Sequence, residues 1–345
     1  MTEEQFKLLR AVASGEVVDS PVALIVDSPW IPGFVGISAM EYFTEPEKWL
    51  RANIQVIEQF PEVIFVPGFW VEYGMAIEPS AFGCKVSWWK DSPPSVAHML
   101  RDISEVRHLS VPMPKNDGLM PFALHLQKWV QQQIKPLGYS IRIVAARGPL
   151  ALATHLMGVT EFLTDIKIEP GEAHRFLDLC TETVIRWLTA QADNLPDVEG
   201  IIVLDDIPGL LGPGDYEEFA HPYLQRIFAA FPSMLKLYHN DASVEPFAEK
   251  LGEVGFDILN YSHLSDTADL FRRMGGRVAM MGNVPPLQVL TQGTPEDVAQ
   301  SAKKCLDAKG VRLILSAGGG LSPGTPAKNI DALVQAAAEA KKRRL

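Results

Sequence analysis

Cysteine is scarce in this chain: Cys84, Cys180 and Cys305 are the only three among 345 residues. The number is odd and the spacing fits no thiolate metal motif, so no disulfide framework is expected and a reducing, cytoplasmic setting is. Long apolar runs are also missing. No segment approaches 18 uninterrupted apolar residues, which argues against a membrane-spanning helix. The opening MTEEQFKLLR lacks the apolar stretch of a secretory leader. Positive charge is in deficit, with a formal net charge of −11. The only basic cluster is Lys341, Lys342, Arg343 and Arg344, where cations complement the end of a helix. Nucleic acid is therefore excluded as the main partner. Internal repeats and low-complexity tracts are absent as well.

What the chain does have is apolar material in short, regular pieces. Hydrophobic residues make up 47% and charged residues 21%, enough to bury a large core. Eight β-branched or apolar runs recur, each ending in polar residues or glycine: VALIVD (22–27), EVIFVPG (62–68), SIRIVAARG (140–148), GIIVLDD (200–206), MLKLYHND (234–241), FDILN (256–260), RVAMMGN (277–283) and VRLILSAGGG (311–320). Helical patterns lie between them. Residues 172–193 are one, after the turn signal Pro170-Gly171. A second starts at Pro213 with Asp215 as its expected N-cap. A third, TPEDVAQSAKKCLDAKG, has Thr294 as N-cap, Pro295 in the first turn and Gly310 as its stop.

Eight strands alternating with helices predict an α/β fold, a (β/α)8 TIM barrel in one domain spanning 1–345. A doubly wound sheet would carry a glycine-rich dinucleotide loop after its first strand, and VDSPWIPGF is not one. Residues 70–139 are too many for an ordinary connection and are expected to form a cap over the barrel mouth.

In such barrels the reacting groups sit at the C-terminal ends of the strands. Here those ends are Asp27, residues 68–72, Arg147, Asp205 with Asp206, His239 to Asp241, Asn260, Asn283, and Gly318-Gly319-Gly320. The candidate catalytic groups are Asp205, Asp206, His239 and Asp241. Trp30, Phe69, Trp70, Glu72, Arg147, Asn240, Asn260 and Asn283 are the candidate substrate contacts. Phe34, Tyr73, Phe82, Trp88 and Trp89 add aromatic surface to the cap and early loops, suited to stacking a flat substrate. The glycine triplet would let a large planar cofactor approach, or serve as a flexible turn.

Four stretches carry a resemblance: YHND at 238–241, VLDDIPGLLGPGDYEEFAHPYLQRI at 203–227, MMGNVPPLQVLTQGTPEDV at 280–298 and ILSAGGGLSPGTPAKNI at 314–330. Residues 20–335 resemble the uroporphyrinogen decarboxylase superfamily and, within it, the corrinoid-dependent methyltransferases. The resemblance implies a (β/α)8 barrel. True decarboxylases carry an N-terminal arginine-rich motif for a substrate with many carboxylates, and ALIVDSPWIPGF has no arginine. A cavity of Asp and Asn would repel such a polyanion.

The methyltransferases commonly bind zinc through a His-x-Cys pair after the fifth strand and a Cys in the glycine-rich stretch after the eighth. His239 matches the histidine, while Asp241 and Gly319 stand at the two cysteine positions. Zinc accepts imidazole and carboxylate, so His239 and Asp241, with Asp205 or Asp206, can still be ligands. A metal-free site working by hydrogen bonds and proton donation is the alternative.

Three functions follow from the resemblance. One is demethylation of a small methoxylated, aromatic or methylamine-like donor, the methyl group passing to cobalamin on a partner corrinoid protein. The second is transfer between that corrinoid protein and tetrahydrofolate, favoured by the Asp/Asn rim. The third is a binding relative without catalysis.

Overall fold

The computed structural model describes residues 1–344 except Val18, Asp27 and Ser28, with Arg344 described by its backbone alone. Asp27, named above as a strand end, thus lies outside the described residues. The strands are β1 (Val22–Ile25), β2 (Val63–Val66), β3 (Val86–Ser87), β4 (Ser95–Val96), β5 (Ile143–Arg147), β6 (Gly200–Leu204), β7 (Leu235–Asn240), β8 (Ile258–Tyr261), β9 (Ala279–Val284) and β10 (Leu313–Ala317). Eight of them form one parallel sheet in the order β2-β1-β10-β9-β8-β7-β6-β5. This is the (β/α)8 barrel that the eight apolar runs predict, and each run overlaps one of its strands, β8 and β9 each extending one residue further.

Alternation along the strands divides the core in two. Ala23, Ile25, Ile64, Val66, Ile143, Ala145, Ile202, Leu204, Leu235, Leu237, Ile258, Ala279, Met281 and Ile314 fill the barrel interior. Their neighbours, such as Val144, Ile201, Val203, Tyr238 and Leu259, pack outward against the helices. The helix Glu3–Ser14, started by a Thr2/Gln5 capping box, sets Phe6, Leu9 and Val12 against the inner set. That leaves the opposite, C-terminal mouth for chemistry.

Two expected helix boundaries shift. The 213–229 pattern divides into Pro213–Phe219 and His221–Ala229, because Pro222 cannot continue the first hydrogen-bond ladder. Gly212 is the N-cap; Asp215 lies in the first turn and pairs with Lys167 instead. By contrast Thr294 caps Pro295–Leu306 as expected, in a capping box with Asp297.

The segment expected as a cap also divides. Its first part holds the β3–β4 antiparallel ribbon and short helices. Its last part, the helix Met120–Ile134, buries Ala123, Val130 and Ile134 and belongs to the outer ring. There Gln127 donates from Nε2 to Gln191 Oε1 at 2.8 Å, joining it to the long helix Pro170–Asn194. Among the described residues no helix is long and apolar enough to cross a membrane.

Candidate functional site

Strand parity decides which polar residues reach the mouth. On β6, Ile202 and Leu204 point inward, so Asp205 points out and Asp206 in. On β7, Leu235 and Leu237 point inward, so His239 and Asp241 follow them while Tyr238 and Asn240 face the helices. The register aligns Arg147, Leu204, His239, Asn260 and Met281 as one inward row across β5 to β9.

Asp206, His239 and Asp241 come together in this mouth. One possible ligand atom from each lies within 4.8 Å of the others. The Asp241 backbone N–H donates to Asp206 Oδ1 at 3.0 Å, tying the two loops together. His239 Nε2 lies 3.5 Å from Asp206 Oδ1. Loss of surrounding water raises the Asp241 carboxyl above its ordinary value, and the Asp206 charge adds to this while His239 opposes it. The missing side chain of Gly319 leaves the room: a Cβ there would sit 2.7 Å from Asp241 Oδ2, on a backbone with φ of 130°. Positions 239, 241 and 319 therefore stand side by side, with one carboxylate lying where two thiolates would have to share space.

The other half of the imidazole is held by Asn260. His239 Nδ1 lies 2.7 Å from Asn260 Oδ1, while Asn260 Nδ2 donates to Met281 O at 2.8 Å and Ala317 O at 3.0 Å. The two carbonyls fix which end of the amide is oxygen, so Nδ1 must be the donor and Nε2 is the nitrogen turned toward the acids. Asn260 bridges β7, β9 and β10 and is a positioning residue, not the substrate contact expected. Sequence reasoning missed this role, although parity with Ile258 puts Asn260 on the inner face beside His239.

Several other expected contacts are turned away. Asp205 is fully buried on the outer side, accepting from the N–H groups of Leu150 and Ala151 at 2.9 Å each, in the first turn of Pro149–Met157. Burial pushes its carboxyl well above the usual range, opposed by those N–H donors. Tyr238 OH donates to Asp205 O at 2.9 Å, and Asn240 Nδ2 lies 3.3 Å from Tyr238 OH. Asn240 Oδ1 also accepts from Ala242 N–H, closing a turn. Asn283 donates to the carbonyls of Ser262 and Ser265 and so secures the loop after β8. These are fold-holding roles, and they replace the catalytic one expected for Asp205 and the substrate contacts expected for the two asparagines.

The aromatic wall is also smaller than expected. Trp30 is buried, lies tilted against Phe34 with ring centroids 4.4 Å apart, and donates from Nε1 to Thr325 O. Phe69 is buried beside Tyr139. Trp88 packs edge to face with Tyr73 and Phe43, Tyr73 lies tilted against Phe43, and Trp89 is tied to Ser95 Oγ at 3.0 Å. Phe82 is half-buried against the outer core.

Trp70 does reach the inner cluster, with the Arg147 guanidinium 5.3 Å from its ring centroid. Arg147 Nη2 lies 3.4 Å from Glu72 Oε2. Gly318 lies against the His263 backbone, where a side chain would not fit, and Gly320 bridges to Ile25. All three cysteines are buried and unpaired.

The family model described as uroporphyrinogen decarboxylase (URO-D) matches residues 7–340. The methylcobamide:CoM methyltransferase MtaA of Methanosarcina barkeri is 26% identical over 348 residues, covering 95% of this chain and 96% of its own. MtbA of Methanosarcina acetivorans, also a methylcobamide:CoM methyltransferase, is 27% identical over 278 residues, 77% of this chain and 78% of its own. The uroporphyrinogen decarboxylase of Dechloromonas aromatica is 27% identical over 279 residues, 75% and 74% of the two chains. A solved methyltransferase from Methanosarcina mazei shares the fold with a TM-score of 0.83, over 96% of this chain and 97% of its own at 22% identity.

Proposed function

The chain belongs to the uroporphyrinogen decarboxylase family, and from that premise we propose that it transfers methyl groups, demethylating a small methoxylated donor onto a corrinoid carried by a partner protein. The observation that carries this reading is the charge of the mouth. Its inward strand ends present Asp206 and Asp241 beside His239, and among the described residues Arg147, shared with Glu72, is their one guanidinium, too little for a substrate with many carboxylates. A polycarboxylate would meet repulsion there. A methyl donor needs the reverse, a group that takes up negative charge developing on the leaving heteroatom. The amides that favoured the tetrahydrofolate reading, Asn240, Asn260 and Asn283, are bonded within the protein.

His239, Asp206 and Asp241 fit a zinc ion, since a buried imidazole nitrogen not engaged by Asn260 and two carboxylates make an acceptable donor set. When bound, the metal supplies a Lewis acid to the heteroatom, and the corrinoid supplies the nucleophile that receives the methyl group. The chain's own residues orient the imidazole through Asn260 and present the acids on one side of the mouth.

The test is incubation of the protein with reduced cobalamin and methoxylated arenes, following the corrin spectrum and the demethylated product. Parallel reactions use tetrahydrofolate and uroporphyrinogen. Methyl transfer from an arene supports the reading. Decarboxylation of uroporphyrinogen without methyl transfer overturns it, and transfer only with tetrahydrofolate replaces it with the carrier-side reaction.

A further inference from the structure

At the end of β5, under the cap ribbon, lies a pocket of about 320 Å3 lined by Pro29, Glu72, Met75, Pro93, Arg147 and His155 among others. We propose that it seats the carboxylate end of a single-ring aromatic methyl donor, with Arg147 as the anchor. This rests on the methyl-transfer reading and adds the size and charge of the substrate.

Size comes first. The volume is at the low end for small-molecule sites, suited to one ring and too small for a tetrapyrrole. Half of its lining is proline, methionine and valine, which accept a flat apolar body. Polarity is concentrated at one point.

Arg147 ends β5, and its side chain is only 12% exposed. Its Nη2 reaches Glu72 Oε2 at 3.4 Å and Gly74 O at 3.5 Å, both at the long limit of a hydrogen bond. Among the described residues Nε and Nη1 donate to nothing. A guanidinium carries five N–H groups in a planar fork matched to carboxylate geometry. None of the Arg147 nitrogens is among the buried atoms lacking a partner, so the unused donors open onto the pocket and can meet an acceptor there. Trp70 backs its plane at 5.3 Å, so the fork is held in orientation before any ligand arrives. Glu72 meets Nη2, which leaves the other nitrogens for the ligand. His155 brings no second cation at neutral pH: burial first, then Arg147 and His98, lower it to about 4.

The register supplies the reach. Arg147 pairs with Leu204 and Leu204 with His239, so the two side chains stand two strand spacings apart on one inward row, about 10 Å. A ring with its carboxylate on Arg147 and a methoxy group opposite spans most of that gap. Its methyl group then points at the acids.

Equilibrium binding to the full chain tests this without any methyl transfer, using 4-methoxybenzoate, benzoate and methoxybenzene as probes. Both carboxylates should bind, and methoxybenzene should bind at least about tenfold more weakly. Arg147→Gln alone would remove a cation from the buried Glu72 carboxylate, so it is paired with Glu72→Gln. The double variant should lose at least about tenfold for both carboxylates, with methoxybenzene unchanged and thermal unfolding confirming a folded chain. Arg147→Lys, which keeps the charge without the fork, should fall between. Equal binding of methoxybenzene and 4-methoxybenzoate would overturn the proposal, as would carboxylate binding that ignores the double substitution. Arg147-dependent benzoate binding without demethylation would uphold the pocket and refute the methyl-transfer reading alone.

Discussion

The inner and outer faces of β6 and β7 carry nearly the same residues to opposite ends. Asp206, His239 and Asp241 look into the mouth, while Asp205, Tyr238 and Asn240 look into the helical layer. Asp205 and Asp206 are adjacent in sequence and chemically identical. One accepts two N–H groups at the start of a helix and is fully buried; the other is about half exposed beside an imidazole. Adjacent positions on a strand differ by half a turn, so a polar pair at a strand end divides between support and chemistry.

The comparison can be broken most forcefully on the inner face. His239→Ala should lower methyl transfer roughly 10²-fold or more, the scale of a positioned catalytic group, and the protein should still melt cooperatively. Near-normal turnover in the folded variant would make His239 a packing residue and remove the distinction between the faces.

On the outer face the effect should move from rate to stability. Asp205→Ala leaves the Leu150 and Ala151 N–H groups buried without an acceptor and should cost about 2 kcal/mol in denaturant unfolding. Turnover per folded molecule should be retained. Asp206→Asn should do the opposite, with a denaturation midpoint close to the parent and a clear loss of activity.

Asn260→Leu sharpens the comparison by leaving both faces' end groups in place while removing the hydrogen bond that holds His239. It frees the imidazole to take the other tautomer and should reduce zinc affinity or turnover about tenfold. The nitrogen-15 shifts of the His239 ring should change from the Nδ1–H pattern to a mixture. Unchanged shifts would mean that the tautomer is set elsewhere.

The smallest expected effect concerns pH at the neighbouring pocket. His155 has a folded value of about 4 against 6.5 when unfolded. The unfolded chain therefore binds the proton more readily between those values. The stability of neutral His155 is fully present above pH 6.5 and is lost as pH falls through about 4. His155→Gln should flatten that acid limb by on the order of 1 kcal/mol in melts across the window. An unaltered limb would assign the acid sensitivity to other groups.

Much of the barrel was legible beforehand because each strand is a short apolar run bounded by polar or glycine residues, and each of the eight runs lies on the sheet. The Thr294 cap was legible for a similar local reason: its partner Asp297 is three residues away. The Asp215 cap was not, since Gly212-Pro213 starts that helix one turn earlier and Lys167, 48 residues distant, takes the aspartate. Trp30 and Phe69 looked like a binding wall because they stand among turn residues, yet loop aromatics in this chain mostly fill the space between helices and barrel. Parity was present in the sequence and would have separated Asp205 from Asp206.

What the sequence by itself determined is what depends on near neighbours. That covers the strand runs, the helix starts, the absence of thiolates at positions 241 and 319, and the location of polar groups at strand ends. Only the tertiary structure decided which of those groups share a cavity. Asn260 meets His239 across 21 residues and Arg147 meets Glu72 across 75, distances that no local pattern encodes. The physical reason is closure of the sheet. Curling eight strands into a barrel turns one face of each toward a common axis, so residues far apart in the chain become hydrogen-bonding neighbours while adjacent ones are separated by the sheet itself.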